Sequence, residues 1–175
     1  LACCPALYAA TPEETKLDTL KTYELQSVQV TSTRANRTTP MAFQNINKQQ
    51  LKAINHGKDI PFLLSLTPSV ITTSDAGNGI GYTSLRVRGT DPSRINITSN
   101  GIPMNDAESS QVFWVNMGDF ASSISSMQIQ RGVGTSTNGS SAFGATVNME
   151  TEQIGMNPFL SVDLSAGSYA SHKET

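Results

Sequence analysis

The chain has 175 residues, of which 37% are hydrophobic and 15% charged, and a formal net charge of −2. That length carries one ordinary domain and a tail, with enough apolar material for a core and too little charge for a disordered polymer. The charge balance gives no reason to expect nucleic acid or an anionic membrane surface as partner, and an excess of Ser, Thr, Asn and Gly over Lys suits a β-rich extracytoplasmic protein.

Both cysteines, Cys3 and Cys4, are adjacent at the N-terminus, too close for a sound disulfide and too few for a framework. The small apolar stretch 1–10 precedes polar Thr11-Pro12-Glu13-Glu14 and reads as a signal-peptide remnant cleaved near Ala9 or Ala10. A lipid-attachment reading at Cys4 is weaker, because Cys3 stands where a small residue belongs. Residues 11–23 are polar, without periodicity, and read as a flexible leader. The β-branched run from Glu24 to Thr31 then reads as a strand or strand-forming peptide.

Asn47-Lys48-Gln49-Gln50-Leu51 has capping-box spacing and predicts a short helix that Gly57 ends, with Leu51 and Ile54 on one face. A second helix is expected over 60–66, with Asp59 at its N-terminus, Pro61 in its first turn and Pro68 beyond its end. The Gly-rich stretch between Val70 and Tyr82 reads as a loop. Short strands come next at Leu85–Arg88, Ile95–Thr98, Met127–Gln130 and Thr146–Met149, separated by an Asn100-Gly101 turn and a short helix from Asp119 to Ser123. The fold class is therefore α/β (α+β), a small domain with a mixed β-sheet and short helices. In Phe159–Gly167 apolar Leu160, Val162, Leu164 and Ala166 alternate with polar residues over about the 9–11 positions that a membrane-spanning β-strand needs. A soluble antiparallel strand has the same pattern.

No catalytic constellation emerges. The only histidines are His56 and His172, and no Gly-x-Ser-x-Gly elbow exists. Gly134 to Ser141 has the glycine spacing of a phosphate loop, but Ser140 replaces its lysine. No Cys/His cluster offers a metal site, and the loop carboxylates lack calcium-loop spacing. The chain reads as a non-enzyme without a cofactor.

Three motifs, in order and spacing, resemble the plug domain of TonB-dependent outer-membrane receptors, of the Bacteroidetes-like iron/siderophore type. Glu24-Leu25-Gln26-Ser27-Val28-Gln29-Val30-Thr31, running on to Arg34, resembles the TonB box and entry strand. Leu85-Arg86-Val87-Arg88-Gly89 with the later Asn100-Gly101-Ile102-Pro103 resembles an Arg-Gly strand and an Asp-Gly-Val-Pro turn. Met127 to Gly132 with Ser141 to Met149 resembles the second Arg-Gly motif and the strand before the barrel. Asn100 departs from the usual Asp, and Ala145 from a glycine. The resemblance implies a TonB box at 24–34, a plug domain over 35–153 and a first barrel strand over 157–169. The barrel is expected to continue past Thr175, since one strand cannot close.

It further implies uptake of an iron-siderophore, haem or cobalamin across the outer membrane of a Gram-negative bacterium. The implied partners are the TonB C-terminal domain, the receptor's own β-barrel and an iron-chelate or similar small ligand. Arg88 and Arg131 are expected to contact carboxylates of the barrel wall. Apical loops 75–83 and 104–116, with Tyr82, Asn105, Phe113 and Trp114, are expected to face the ligand, although Phe113 and Trp114 fit a core position equally well. Residues 11–23 are too short for the extra β-domain of the glycan importers. A small secreted interaction module is the alternative from another class.

Overall fold

The computed structural model describes residues 34–134, 142–153, 160, 162–168 and 172–174. The stretches read as a signal-peptide remnant and a leader, and residues 24–31, lie outside the described residues. The central sheet has five strands: β1 (Ala42–Asn47), β4 (Ile95–Ser99), β5 (Ile102–Pro103), β6 (Ile124–Arg131) and β7 (Ala145–Thr151). Their order is β1-β6-β7-β4-β5, with β4 and β7 parallel and every other neighbour antiparallel, so the sheet is mixed as expected. A separate antiparallel pair joins β2 (Val70–Ser74) to β3 (Thr83–Val87).

Alternation gives the central sheet two unlike faces. Ile95 and Ile97, Met127 and Ile129, and Ala145, Val147 and Met149 point one way and are all buried. They join one core with Leu51, Ile60, Leu63, Leu64, Leu85 and Trp114 from the helices and β3. A register shift between Ile124 and Ser126 returns Ile124 to this face, and Ser125 Oγ donates to the carbonyls of Glu150 and Thr151 at the irregularity. Each large aliphatic side chain so buried contributes about 1.5–3 kcal/mol.

Over β4, β6 and β7 the opposite face carries buried polar side chains, while Asn45 of β1 at its edge is exposed. Asn45, Gln128, Asn148 and Thr98 form one row across four strands. Within it Gln128 Nε2 donates to Asn45 Oδ1 at 2.6 Å, and Thr98 Oγ1 to Asn148 Oδ1 at 2.6 Å. Asn96, Thr146 and Gln130 lie in the next row. Buried polar groups hold only when paired, and pairing across strands fixes register. Thr146 Oγ1 is the exception, buried without a hydrogen-bond partner. Thr146→Val is therefore expected to leave the thermal midpoint of the purified chain unchanged or to raise it.

Helix α1 (Lys48–Ile54) opens on the expected capping box: Gln50 N donates to Asn47 Oδ1 at 2.9 Å, and Asn47 N to Gln50 Oε1 at 3.0 Å. Helix α2 is one turn, Ile60–Leu63, not 60–66. The amides of Leu64, Ser65 and Thr67 each reach back three residues, tightening the chain ahead of Pro68. Asp59 does not cap α2; its carboxylate instead accepts from Thr83 Oγ1 at 2.8 Å and ties the helix to β3.

Two strands depart from the sequence reading. Val70–Ser74 is a strand, so the loop expected from Val70 shrinks to 75–82, closed by the Asp75 amide on the Tyr82 carbonyl. β1 was not expected at all, because Gln44, Asn45 and Asn47 hide its period. β3 runs Thr83–Val87 and stops where Arg88 turns left-handed, φ +53°. The Asn100-Gly101 turn forms with φ of +51° and +82°, the pair a tight hairpin turn requires. The expected helix at 119–123 is a 3₁₀ turn, Phe120–Ser123. Towards the C-terminus β8 (Leu164–Ala166) pairs antiparallel with β9 (His172–Glu174), and Leu160, Val162 and Leu164 are exposed.

Candidate functional site

The two Arg-Gly motifs, far apart in sequence, meet at one end of the domain. Arg88-Gly89 closes β3, and Arg131-Gly132 closes β6. Gly132 has φ +103°, and a Cβ added there would lie 3.0 Å from Arg88 Nη1, so the Arg88 guanidinium rests against the bare α-carbon. Gly89 (φ +75°) follows the left-handed Arg88, whose amide donates to the Ser69 carbonyl at 2.8 Å. Glycine at both second positions thus permits the turns and the close approach of the arginine. Below them, the Gly132 amide donates to the Gly144 carbonyl and the Gly144 amide to the Arg94 carbonyl, each at 2.8 Å.

Arg131 Nη1 donates to the Pro68 carbonyl at 3.2 Å, while its Nε is buried without a partner. Among the described residues no carboxylate pairs with Arg88 or Arg131. Two permanent cations on adjoining turns, without a counter-charge among the described residues, favour an anionic partner, and a guanidinium fork fits a carboxylate bidentately.

The four expected ligand-loop residues separate. Tyr82 and Phe113 are exposed, at 68% and 50%. Trp114 is 4% exposed and belongs to the core, so its ring is not offered for stacking on a ligand. Asn105 is a brace: its Oδ1 accepts from the Ile97 amide, and its Nδ2 donates to the carbonyls of Ile95 and Ser110, all at 2.8 Å. Its donors and acceptor thus hold loop 104–112 to β4.

In that loop the Ser109 amide and hydroxyl, then the Glu108 amide, donate to Asp106 and hold its carboxyl below the usual range. A lowered folded value means that the contribution is complete above the unfolded value of about 3.9 and fades as pH falls through the folded one. The Ser109 amide is therefore expected to lose hydrogen-exchange protection on acidification below about pH 4.

One feature, towards the opposite end of β6 and β7 from the Arg-Gly turns, escaped sequence reading. Arg34 pairs with Glu150 at 3.1 Å, and the Gln128 side chain grips the backbone of Ala35. A glutamine among strand residues gave only the faint signal of a polar residue where an apolar one is usual.

Over residues 35–146 the chain matches the family model of the TonB-dependent receptor plug domain. No curated protein matches it. Among solved structures it is similar to the ferric yersiniabactin uptake receptor FyuA from Yersinia pestis, at 15% identity and TM-score 0.57, over 77% of this chain and 20% of that one. It is also similar to the copper transporter OprC (19%, TM-score 0.57, over 80% and 22%). A third is the alcaligin outer-membrane receptor FauA from Bordetella pertussis (21%, TM-score 0.53, over 77% and 22%). The chain spans about a fifth of the length of these receptors. At such identities the likeness is one of fold, and the mixed sheet of short strands with few short helices is what they share. The family model covers most of the chain, including the Arg-Gly turns and the strands they close, and the chain therefore belongs to the TonB-dependent receptor plug-domain family.

Proposed function

We propose that the chain is the plug of an outer-membrane receptor of a Gram-negative bacterium that takes up a scarce nutrient, an iron-siderophore, haem or cobalamin, with energy supplied through TonB. The observation that carries this reading is the meeting of the two Arg-Gly motifs, Arg88 resting on Gly132, at one end of a family-matched domain, with no carboxylate of the described residues paired to Arg88 or Arg131. Their counter-charges are carboxylates on the wall of the receptor's own β-barrel, of which residues 157–169 are the first strand. Residues 24–31 are the TonB box: an extended segment adds a strand to the sheet of the TonB C-terminal domain through main-chain hydrogen bonds. Tyr82 and Phe113 face the ligand from loops 75–83 and 104–116, where an exposed aromatic ring can stack on a chelate.

Reversing both charges, Arg88→Glu with Arg131→Glu, sets like charges against the wall. Losing one partner of a desolvated charge pair costs about 2–5 kcal/mol. The full receptor carrying both changes is expected to admit bulky antibiotics that the outer membrane otherwise excludes, measured as growth inhibition. The uptake reading is tested with radiolabelled ferric chelates and haem in cells that carry the full receptor, with and without TonB. Accumulation that falls to the level of surface-bound label without TonB supports it; equal accumulation in both strains overturns it.

A further inference from the structure

The described residues hold the same triplet, Asn-Gly-Ile, in two places: Asn78-Gly79-Ile80 in loop 75–82, and Asn100-Gly101-Ile102 in the turn between β4 and β5. Glycine has no Cβ to shield its amide nitrogen, so this nitrogen can reach the side-chain carbon of a preceding asparagine. The fold treats the two asparagines in opposite ways. At Asn100 the side chain is drawn away from Gly101 to another strand. Its Oδ1 accepts from the Thr151 amide at 3.0 Å, and its Nδ2 donates to Thr151 Oγ1 at 2.8 Å. Both ends of the side-chain amide are engaged, and both bonds run to the last residue of β7.

Asn78 has neither restraint. It is exposed, its Nδ2 has no partner among the described residues, and its Oδ1 accepts only from the Ile80 amide, two residues on, at 3.0 Å. That local bond folds the side chain back across the Gly79 peptide. Its proton also sits where negative charge develops once a nucleophile adds to the side-chain carbonyl. Gly79 itself is buried, left-handed at φ +84°, and is the point at which the loop touches α2. Its carbonyl accepts the Asp59 amide at 2.9 Å, its amide donates to Ser74 Oγ at 3.3 Å, and a Cβ added to it would lie 3.1 Å from the Phe62 ring.

We propose that Asn78-Gly79 is a site of spontaneous covalent modification, at which Asn78 becomes aspartate or isoaspartate, and that the isoaspartyl form frees loop 75–82 from α2. Hydroxide takes the Gly79 amide proton, and the nitrogen attacks Asn78 Cγ. The new N–Cγ bond closes a cyclic imide as the Cγ–Nδ2 bond breaks, and Nδ2 leaves as ammonia with a proton from water. A water molecule then opens the ring. Breaking the N–Cγ bond gives an aspartyl residue. Breaking the bond from that nitrogen to the main-chain carbonyl leaves the chain running through Cγ, as isoaspartate. In net, a water is consumed and an ammonia released, and nothing is oxidised or reduced. The aspartyl product keeps the main chain and with it the contacts of Gly79. The isoaspartyl product inserts a methylene into the main chain directly before Gly79, which cannot then keep both its seat against Phe62 and its carbonyl on the Asp59 amide.

The test uses the full receptor in outer-membrane vesicles, aged in mildly alkaline buffer and then digested with trypsin. Cleavage after Lys58 and Arg86 gives peptide 59–86, in which Asn78 is the only asparagine, and cleavage after Arg94 and Arg131 gives the peptide that holds Asn100. Mass spectrometry of peptide 59–86 is expected to show the amide-to-acid mass gain in two chromatographically separate products. The two bonds that Asn100 must first break predict conversion there about tenfold slower. In receptor denatured before ageing, where those bonds are gone, the identical triplets are expected to convert alike. Equal rates in the folded receptor, or no conversion at Asn78, overturn the proposal. Hydrogen exchange reads the release of the loop. The Asp59 amide is expected to lose protection in the aged receptor and to keep it in aged Asn78→Gln, whose longer side chain closes the ring far less readily. An Asp59 amide equally protected in both would overturn that release.

Discussion

Gly144→Ala is expected to destabilise the domain by about 3 kcal/mol, read as a shift in the denaturant midpoint at constant slope. An added Cβ at Gly144 falls inside the contact distance of Thr90 Oγ1, 2.8 Å from Thr90 Cβ and 3.1 Å from its Cγ2. The threonine cannot turn aside cheaply, because Oγ1 donates to the Val87 carbonyl at 2.7 Å and its Cβ is fixed by the backbone. Gly144 cannot retreat either, as its amide and carbonyl are bonded to Arg94 and Gly132. Thr90→Gly should recover most of the loss in the double variant, whereas Thr90→Ser, which keeps Oγ1 and Cβ, should recover little. Equal stability of Gly144→Ala and the parent would remove the contact from the account. The consequence reaches the site: this contact locks the end of β3, the start of β7 and the turn that carries Gly132, and so sets how Arg88 meets Gly132.

Trp114→Ala is expected to cost about 3–5 kcal/mol, the usual range for deleting a buried indole. The ring is 4% exposed and sits in the same core as Leu85, Ile97 and Val147. Phe113 next to it is half exposed, and Phe113→Ala should change stability by less than about 1 kcal/mol. The pair therefore separates packing from ligand contact. If Phe113 faces the ligand, its alanine variant weakens ligand binding at unchanged stability, while Trp114→Ala unfolds the domain. A Trp114→Ala protein as stable as the parent would place the ring outside the core.

How local each signal is decides which elements were legible in the sequence and which were concealed. The capping box at Asn47 and Gln50 and the Asn100-Gly101 turn are written in adjacent residues, and both form. The apolar alternation of β4, β6 and β7 survives because only one of their faces is polar, so three strands could be read directly. β1 could not, since its one fully buried side chain is Ile46 and its other face joins a polar row visible only after four strands are paired. Val70–Ser74 was obscured by the glycines that come after it, although β-branched residues fill its first four positions.

Sites divide in the same way. The Arg-Gly motifs are legible as motifs, but that Arg88 rests on Gly132 is a tertiary fact. The clasp of Gln128 on Ala35 joins residues 93 positions apart, and no local pattern encodes it. Trp114 opens a single 3₁₀ turn, Trp114–Asn116, too short for a periodicity that says which way it points, and burial alone decides. Residues 24–31 lie outside the described residues, so their role rests on the motif and on the family to which the chain belongs.

The central claim, that this plug is driven by strand pairing at residues 24–31, is tested most directly by Leu25→Pro in the full receptor, with surface binding and energised accumulation of a radiolabelled ligand measured in the same cells. A proline there removes one main-chain donor and fixes φ near −65°, which breaks an added strand. Undiminished binding is expected, with accumulation reduced to the level of cells that lack TonB. Normal accumulation by Leu25→Pro would contradict it and remove residues 24–31 from the coupling role.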